Sequence, residues 1–456
     1  MSGAAVKLGV LMRRAGFDAA VSFSLINRLW SAISGLAMIV LVGLFTSPST
    51  QGFYYTFNSM IYMQVFVEMG LGIALVQLIG HEMAHLTHGP CGRIIGDESA
   101  KKRLHSLVRF AGIWFSVGSG LMLVLLCVTG VIFFIHFGKD QLAPGELPHV
   151  LAAWILVASG VSANLVVNAA LFVVEGSGNI ASASQIRLQQ GIVGTSAAAL
   201  TLAFGGGLFA IAVQMMLMPI IGTALLARRH RKMLVDLWFF RSALDGLNWR
   251  TDVWPFQSRI AVSWLSGFFA LQLFSPLTFA LVGAAAAGQV GMSLQIFTAL
   301  NSLFIVLVTA RTPIFTKLIA LGQHDELRRR FSQAFGQSMA LLAAALLALP
   351  IILYAGTLLV PRFPDRIVPW PYLLPLGLTC LGNHILFAQA AFLRAHRREP
   401  FMLLSSASGV LTATAASCLI TAMGLPGAVF AYTGVTLLFT LPWGTAIFLR
   451  YWKSDV

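Results

Sequence analysis

The chain has 456 residues, of which 57% are hydrophobic and only 10% charged, and its mean hydropathy is +0.82. A soluble chain carries about 25% charged residues, so soluble, fibrous, disordered and disulfide-framed classes are excluded and a polytopic membrane protein is left. The net charge of +14 does not point to nucleic acid, because most basic residues sit between long apolar runs, where they read as topology signals and anionic-lipid contacts. Cys91, Cys127, Cys380 and Cys418 lie far apart and form no CxxC pair, so they indicate neither a disulfide framework nor a metal cage.

A bilayer core of ~30 Å needs roughly 20 apolar residues per helix, and that ruler predicts about twelve spans. In the first half they cover 20–45, 52–79, 108–137, 148–173, 190–205 and 207–227. In the second half they cover 255–282, 288–310, 333–360, 369–391, 400–422 and 425–449. Only Gly205, Gly206 and Gly207 separate the fifth span from the sixth. Lys7, Arg13 and Arg14 precede the first apolar run, which is too long for the core of a cleavable signal.

The loop charges set the orientation. With the N-terminus in the cytoplasm, the inner loops hold Arg93, Lys101, Lys102 and Arg103, then Arg187, then Arg228, Arg229, Arg231 and Lys232. Further on they hold Arg328, Arg329, Arg330, Arg394, Arg397 and Arg398, whereas the outer loops hold Lys139, Arg362 and Arg366. This asymmetry predicts both termini inside and an even number of spans. The stretch from Arg228 to Arg250 interleaves Leu234, Leu237, Trp238 and Leu244 with Arg231, Lys232 and Arg241, the pattern of an amphipathic helix on the inner surface. The expected organisation is all-α: a lobe over 1–227, a cytoplasmic amphipathic linker over 228–253, and a lobe over 254–456.

The lobes share a weak pattern. Asn27-Arg28 and Ser34-Gly35 in span 1 correspond to Ser258-Arg259 and Ser266-Gly267 in span 7, and each span precedes a helix expected to open after a glycine, Gly52 or Gly291. A parallel repeat of this kind places a transport cavity between the halves.

Ionisable and amide groups inside spans mark candidate function. Arg28 lies roughly 12 Å along span 1, where a charge costs at least ~2.5 kcal/mol. No acid shares its span, so an anionic ligand is one partner; snorkelling to the inner interface is the alternative. Arg259 is shallower, and Arg311 ends span 8 as an interfacial anchor. Asn27, Asn164, Asn168, Asn301 and Asn383 are either interhelical bonds or cavity-lining groups. His384 is a titratable group near neutral pH or a satisfied core histidine. Glu68 and Glu175 sit near the cytoplasmic ends of spans 2 and 4, suited to pairing with cations or to proton relay. Basic groups near the entrance, with few deep carboxylates, favour an anionic cargo over a drug-cation antiporter.

His81-Glu82-Met83-Ala84-His85 matches HExxH, which on a helix could hold zinc with Glu82 as general base. A membrane zinc protease is therefore the alternative of another class, although Gly89-Pro90 ends the helix just beyond His88. Glu175-Gly176-Ser177-Gly178-Asn179 reads as a tight cytoplasmic turn, not a phosphate loop.

Three segments carry a resemblance. TSPSTQGFYYTFNSMIYMQVFVEMGLGIAL, from Thr46 to Leu75, resembles the second helix of bacterial polysaccharide flippases of the Wzx type, in the MATE-like superfamily that also holds multidrug exporters and the lipid II flippase. LFVVEGSGNIASASQIRLQQ, from Leu171 to Gln190, resembles that family's turn from helix 4 into helix 5, and AGQVGMSLQIFTALNSLFIVLVTARTPI, from Ala287 to Ile314, resembles its helix 8. The resemblance implies two six-helix lobes and alternating access in the bacterial inner membrane. It implies a non-enzymatic protein without cofactor that moves polyprenyl-diphosphate-linked oligosaccharide, with membrane lipids and polysaccharide polymerase machinery as partners. It places Arg28 at the diphosphate by helix and depth, and Arg259 by helix and pseudo-symmetry, while Asn27, Asn301, Asn383 and His384 are expected along the cargo path from their own polarity inside spans.

Overall fold

The structure, a computed structural model, describes residues 19–89, 94–239, 254–359, 363–396 and 400–453. Its helices in chain order are α1 (Ala19–Phe45), α2 (Pro48–Ile61), α3 (Val65–Glu68), α4 (Leu71–Met83), α5 (Glu98–Phe133), α6 (Leu147–Gly176), α7 (Ile180–Ala203) and α8 (Phe209–Phe239). They continue as α9 (Trp254–Leu271), α10 (Phe274–Leu281), α11 (Ala284–Thr309), α12 (Thr312–Ala320), α13 (His324–Leu359), α14 (Leu373–Ala395), α15 (Met402–Met423), α16 (Leu425–Gly434) and α17 (Leu441–Lys453). A short antiparallel hairpin, β1 (Leu86–His88) and β2 (Ile94–Gly96), pairs Thr87 with Ile95 between α4 and α5. The architecture is an all-α polytopic membrane fold.

Each expected span coincides with a helix or a broken helix. Among the described residues, eight helices are long and apolar enough to cross a membrane, and nine if the bent pair Pro48–Glu68 and Leu71–Met83 is one span. This count is of the described residues. Leu29–Phe45 of α1 and Leu265–Leu281 of α9–α10 are shorter apolar helices among the described residues. The helix α7 carries Gln185, Arg187, Gln189 and Gln190, which dilute its hydropathy.

Helix ends follow from residue chemistry. Ser47 caps α2 by accepting the Thr50 N–H at 3.0 Å, with Pro48 at the first helical position. Asp97 caps α5 by accepting the Ala100 N–H at 3.1 Å. The α7–α8 turn bends at Gly205 (φ 80°) and Gly207 (φ 50°), a backbone region open to glycine. The second span breaks by 42° where Met69 (φ 41°) and Gly70 (φ 70°) are both left-handed. The helix α8 runs unbroken to Phe239, so Arg228, Arg229, Arg231 and Lys232 lie on its last turns, and the rest of the linker, 240–253, lies outside the described residues.

Contacts group the chain into two compact units. The first holds Met1–Ser34, Met63–Phe134 and Gly145–Ala261. The second holds Gly35–Tyr62, Ile135–Pro144 and Val262–Val456. Within the first unit, α6 packs on α5, α7 and α8. Within the second, α2 packs on α11 so closely that a Cβ on Gly52 would sit 1.8 Å from the Ala284 carbonyl oxygen, and one on Gly288 would sit 2.9 Å from the Gly52 nitrogen. Small residues let membrane helices approach in this way, which is the role of Gly52 here, inside α2 and not at its start. Gln51 spans that junction, donating to the Gly288 carbonyl at 3.0 Å and the Arg366 carbonyl at 2.8 Å. At the other end of the second unit, Phe315, Phe331, Phe392 and Phe448 lock α12, α13, α14 and α17 together, with Phe331 and Phe392 ring centres 4.8 Å apart.

Candidate functional site

The second unit contains a small cleft between α11, α14 and α16, with about 40 Å³ of internal space. Leu294, Phe297, Thr298 and Asn301 reach it from one face of α11, at the three- and four-residue spacing of a helix stripe. Leu376, Cys380, Asn383 and Phe387 reach it from α14, and Tyr432 from α16. The walls are mainly apolar, and the polar groups converge. Asn383 Nδ2 donates to Tyr432 Oη at 2.8 Å, and the Cys380 thiol donates to the Phe297 carbonyl at 3.4 Å.

Behind Asn301 stands His384, fully buried. Its Nδ1 faces Asn301 Oδ1 at 2.7 Å and its Nε2 faces Ser338 Oγ at 3.0 Å. Ser338 donates in turn to the Phe335 carbonyl at 2.9 Å. Asn301 is therefore held from behind while it lines the cleft, and His384 itself does not line it.

The structure thus brings Asn301, Asn383 and His384 together in one unit. Asn27 lies half-buried on the part of α1 that belongs to the first unit, where its carbonyl accepts the Ser31 hydroxyl at 2.9 Å. Arg28 and Arg259 stand on described helical backbone of that same unit, but their side chains lie outside the described residues. Sequence reasoning did not single out Tyr432 or Ser338. Tyr432 lies among Thr433, Thr436 and Thr440, and nothing in the sequence sets it, or Ser338, apart from neighbouring hydroxyls.

The first unit holds the carboxylates. Arg187 donates to Glu175 at 2.6 Å and lies 5.7 Å over the Phe172 ring, and its charge also acts on Glu68. Glu175 is thus paired with an arginine two turns into α7. Asn164 accepts from Gln190 at 3.4 Å, an interhelical bond of the kind expected for bundle amides.

In the HExxH segment, α4 ends at Met83 with Ala84 as its C-cap, so His85 falls beyond the helix. Glu82 accepts Arg103 Nε at 2.9 Å and lies 3.6 Å from His81 Nδ1. Glu82 is thus engaged in an ion pair with Arg103. Among the described residues no three His, Cys, Asp or Glu side chains are grouped to hold a metal ion. The His88 side chain and Cys91 lie outside the described residues.

No family model matches the chain, and no curated protein matches it either. Solved structures do. A multidrug resistance MATE family transporter of the MOP superfamily is similar in its inward-facing conformation, with TM-score 0.66 and 13% identity over 96% of this chain and 99% of that one. The outward-facing conformation of such a transporter is similar with TM-score 0.62 and 13% identity over 96% of each chain. The chain has the fold of MATE transporters. A MOP superfamily transporter from Pyrococcus furiosus, described by the reverse polarity of its binding pocket, is similar with TM-score 0.53 and 12% identity over 96% of each chain.

Proposed function

We propose that this chain is an alternating-access membrane transporter whose cargo is an oligosaccharide carried on a polyprenyl diphosphate. The observation that carries the transport reading is the fold likeness over 96% of the chain to both an inward-facing and an outward-facing transporter. The anionic cargo is supported by Arg28 and Arg259 within apolar helices, and by the scarcity of carboxylates there. The two guanidinium groups offset the diphosphate with charge-assisted hydrogen bonds while the polyprenyl tail stays in lipid. Rocking of the helix bundles carries the headgroup outward from the cytoplasmic leaflet of a bacterial inner membrane, with both chain termini inside. An inside-negative potential assists by ~2.3 kcal/mol per charge per 100 mV.

Native mass spectrometry of the detergent-purified protein beside Arg28→Ala tests this. The expected result is a polyprenyl-diphosphate species retained by the wild type and lost in the variant, with export abolished and folding intact. Unimpaired export in Arg28→Ala removes the role assigned to that residue. A stoichiometric zinc adduct without such a lipid shifts the reading to the HExxH segment.

The apolar walls of the cleft favour a second reading, export of amphiphilic drugs. Cation-driven efflux of a lipophilic cation that survives Arg28→Ala supports that reading and counts against the first.

A further inference from the structure

Four connections share one side of the membrane, the outer side by the loop charges. Spans 1 and 2 are joined at Thr46 and Ser47, and spans 3 and 4 by the segment that carries Gln141. Six spans later, spans 7 and 8 are joined at Val282 and Gly283, and spans 9 and 10 by the segment that carries Asp365 and Arg366. In the sequence repeat, the first connection corresponds to the third and the second to the fourth. All of these residues belong to the second unit.

Hydrogen bonds tie the connections crosswise between the two halves of the chain. The Arg366 guanidinium donates to the Thr46 carbonyl, and the Gln51 amide donates back to the Arg366 carbonyl at 2.8 Å. Gln141 Oε1 accepts the N–H of Ala284, the first residue of α11. Ser49 steadies Gln141 by donating to its carbonyl at 3.2 Å. Exchanging the halves turns one tie into the other. In each, a long side chain from the second connection of one half grips the backbone at the first connection of the other. The close approach of α2 and α11 at Gly52 and Gly288 brings these groups within reach.

The chemistry of the ties suits a contact that is broken and remade. Each joins one side chain to one backbone group. At an aqueous mouth, water takes over both partners when such a bond breaks, so losing one shifts a two-state balance by only about two- to tenfold. The aromatic cluster of Phe315, Phe331, Phe392 and Phe448, elsewhere in the same unit, has no such exchange open to it, because parting exposes apolar surface.

We infer that Arg366–Thr46 and Gln141–Ala284 are paired latches that hold the outer mouth of the transporter shut, and that both release before the two halves of the chain part there. The inference rests on the transport reading and on the orientation given by the loop charges. Neither latch touches the cleft, so the latches govern opening and leave cargo choice to other residues.

Distances between spin labels test this. The labels sit on Ser47→Cys and Asp365→Cys, both exposed, in the full-length detergent-purified protein with Cys91, Cys127, Cys380 and Cys418 changed to alanine. No cargo is added. The parent is expected to give one main short distance. Arg366→Ala and Gln141→Ala each add a longer component, and together they raise it by about tenfold or more over the parent. Gln141→Ala is the sharper change, because it removes the latch that the labels do not flank. Lengthening there reports the mouth and not slack beside a label. Phe448→Ala, which loosens the aromatic cluster, is expected to keep the parent distribution. A folded double variant with the parent distribution overturns the proposal, and so does equal lengthening in Phe448→Ala. If Arg366→Ala does not elute as a folded protein, the half-buried Gln141 decides alone, and an unmoved distance in Gln141→Ala overturns the proposal. Export by the unlabelled parent is measured separately. Export beside an unmoved double variant removes the latches and leaves the transport reading, whereas lengthening without export keeps the latches and counts against that reading.

Discussion

Gly52→Ala tests the packing of the second unit. The added methyl would sit 1.8 Å from the Ala284 carbonyl oxygen, on backbone that cannot swing aside. Carbon and oxygen approach no closer than about 3.3 Å, so α2 and α11 must part locally by about 1.5 Å. A gap of even 0.5–1 Å forfeits roughly a quarter to a half of the dispersion energy at each facing atom. Overpacking of this kind costs about 1–3 kcal/mol. The two bonds from Gln51 to the Gly288 and Arg366 carbonyls stretch with it, each contributing about 0.6 kcal/mol in a membrane bundle. Alanine's better helix propensity returns about 0.5–1 kcal/mol, which leaves a net loss of about 1–4 kcal/mol. The assay is the apparent Tm of detergent-purified protein, with Gly120→Ala as the control. A methyl group on Gly120 of α5 would meet nothing within 4 Å, so that variant is expected to be neutral or slightly stabilised. Equal melting of Gly52→Ala and Gly120→Ala would refute the close approach of α2 to α11.

Two smaller changes probe local structure. The Ser99 hydroxyl and the Ala100 N–H hold the Asp97 carboxyl below its usual pKa. A depressed folded-state value means that the cap's contribution is present above the unfolded carboxylate pKa and is lost as pH falls through the folded one. Amide protection in the first turn of α5 is therefore expected to drop on strong acidification in the wild type but not in Asp97→Asn, and parallel acid profiles would count against the cap. Met69 holds a left-handed backbone at φ 41°, which costs a side-chain-bearing residue about 1–2 kcal/mol. Met69→Gly is expected to raise the apparent Tm, whereas a lowered one would mean that the helix is not broken there.

Much of the fold was legible in the chain. Apolar runs of membrane length located the described helices other than α12, and Gly205 and Gly207 marked the turn between α7 and α8. Backbone polar groups have no water to bond inside a bilayer, so long apolar runs must become helices. Asn301, Asn383 and His384 were also visible, because amide and imidazole groups are costly in hydrocarbon and must find partners. The partners themselves were not visible. Ser338 and Tyr432 meet His384 and Asn383 across separations of 46 and 49 residues, set by how α13 and α16 pack on α14. Gly52 read as a helix opener until α11 was seen crossing it, and Glu82 read as a metal-site base until Arg103 was seen bonded to it. Hydropathy and charge act along the chain and determine which segments are helices. Which helix faces meet is decided by close packing between segments far apart in sequence, so only the tertiary structure could show the cleft and the buried histidine behind it.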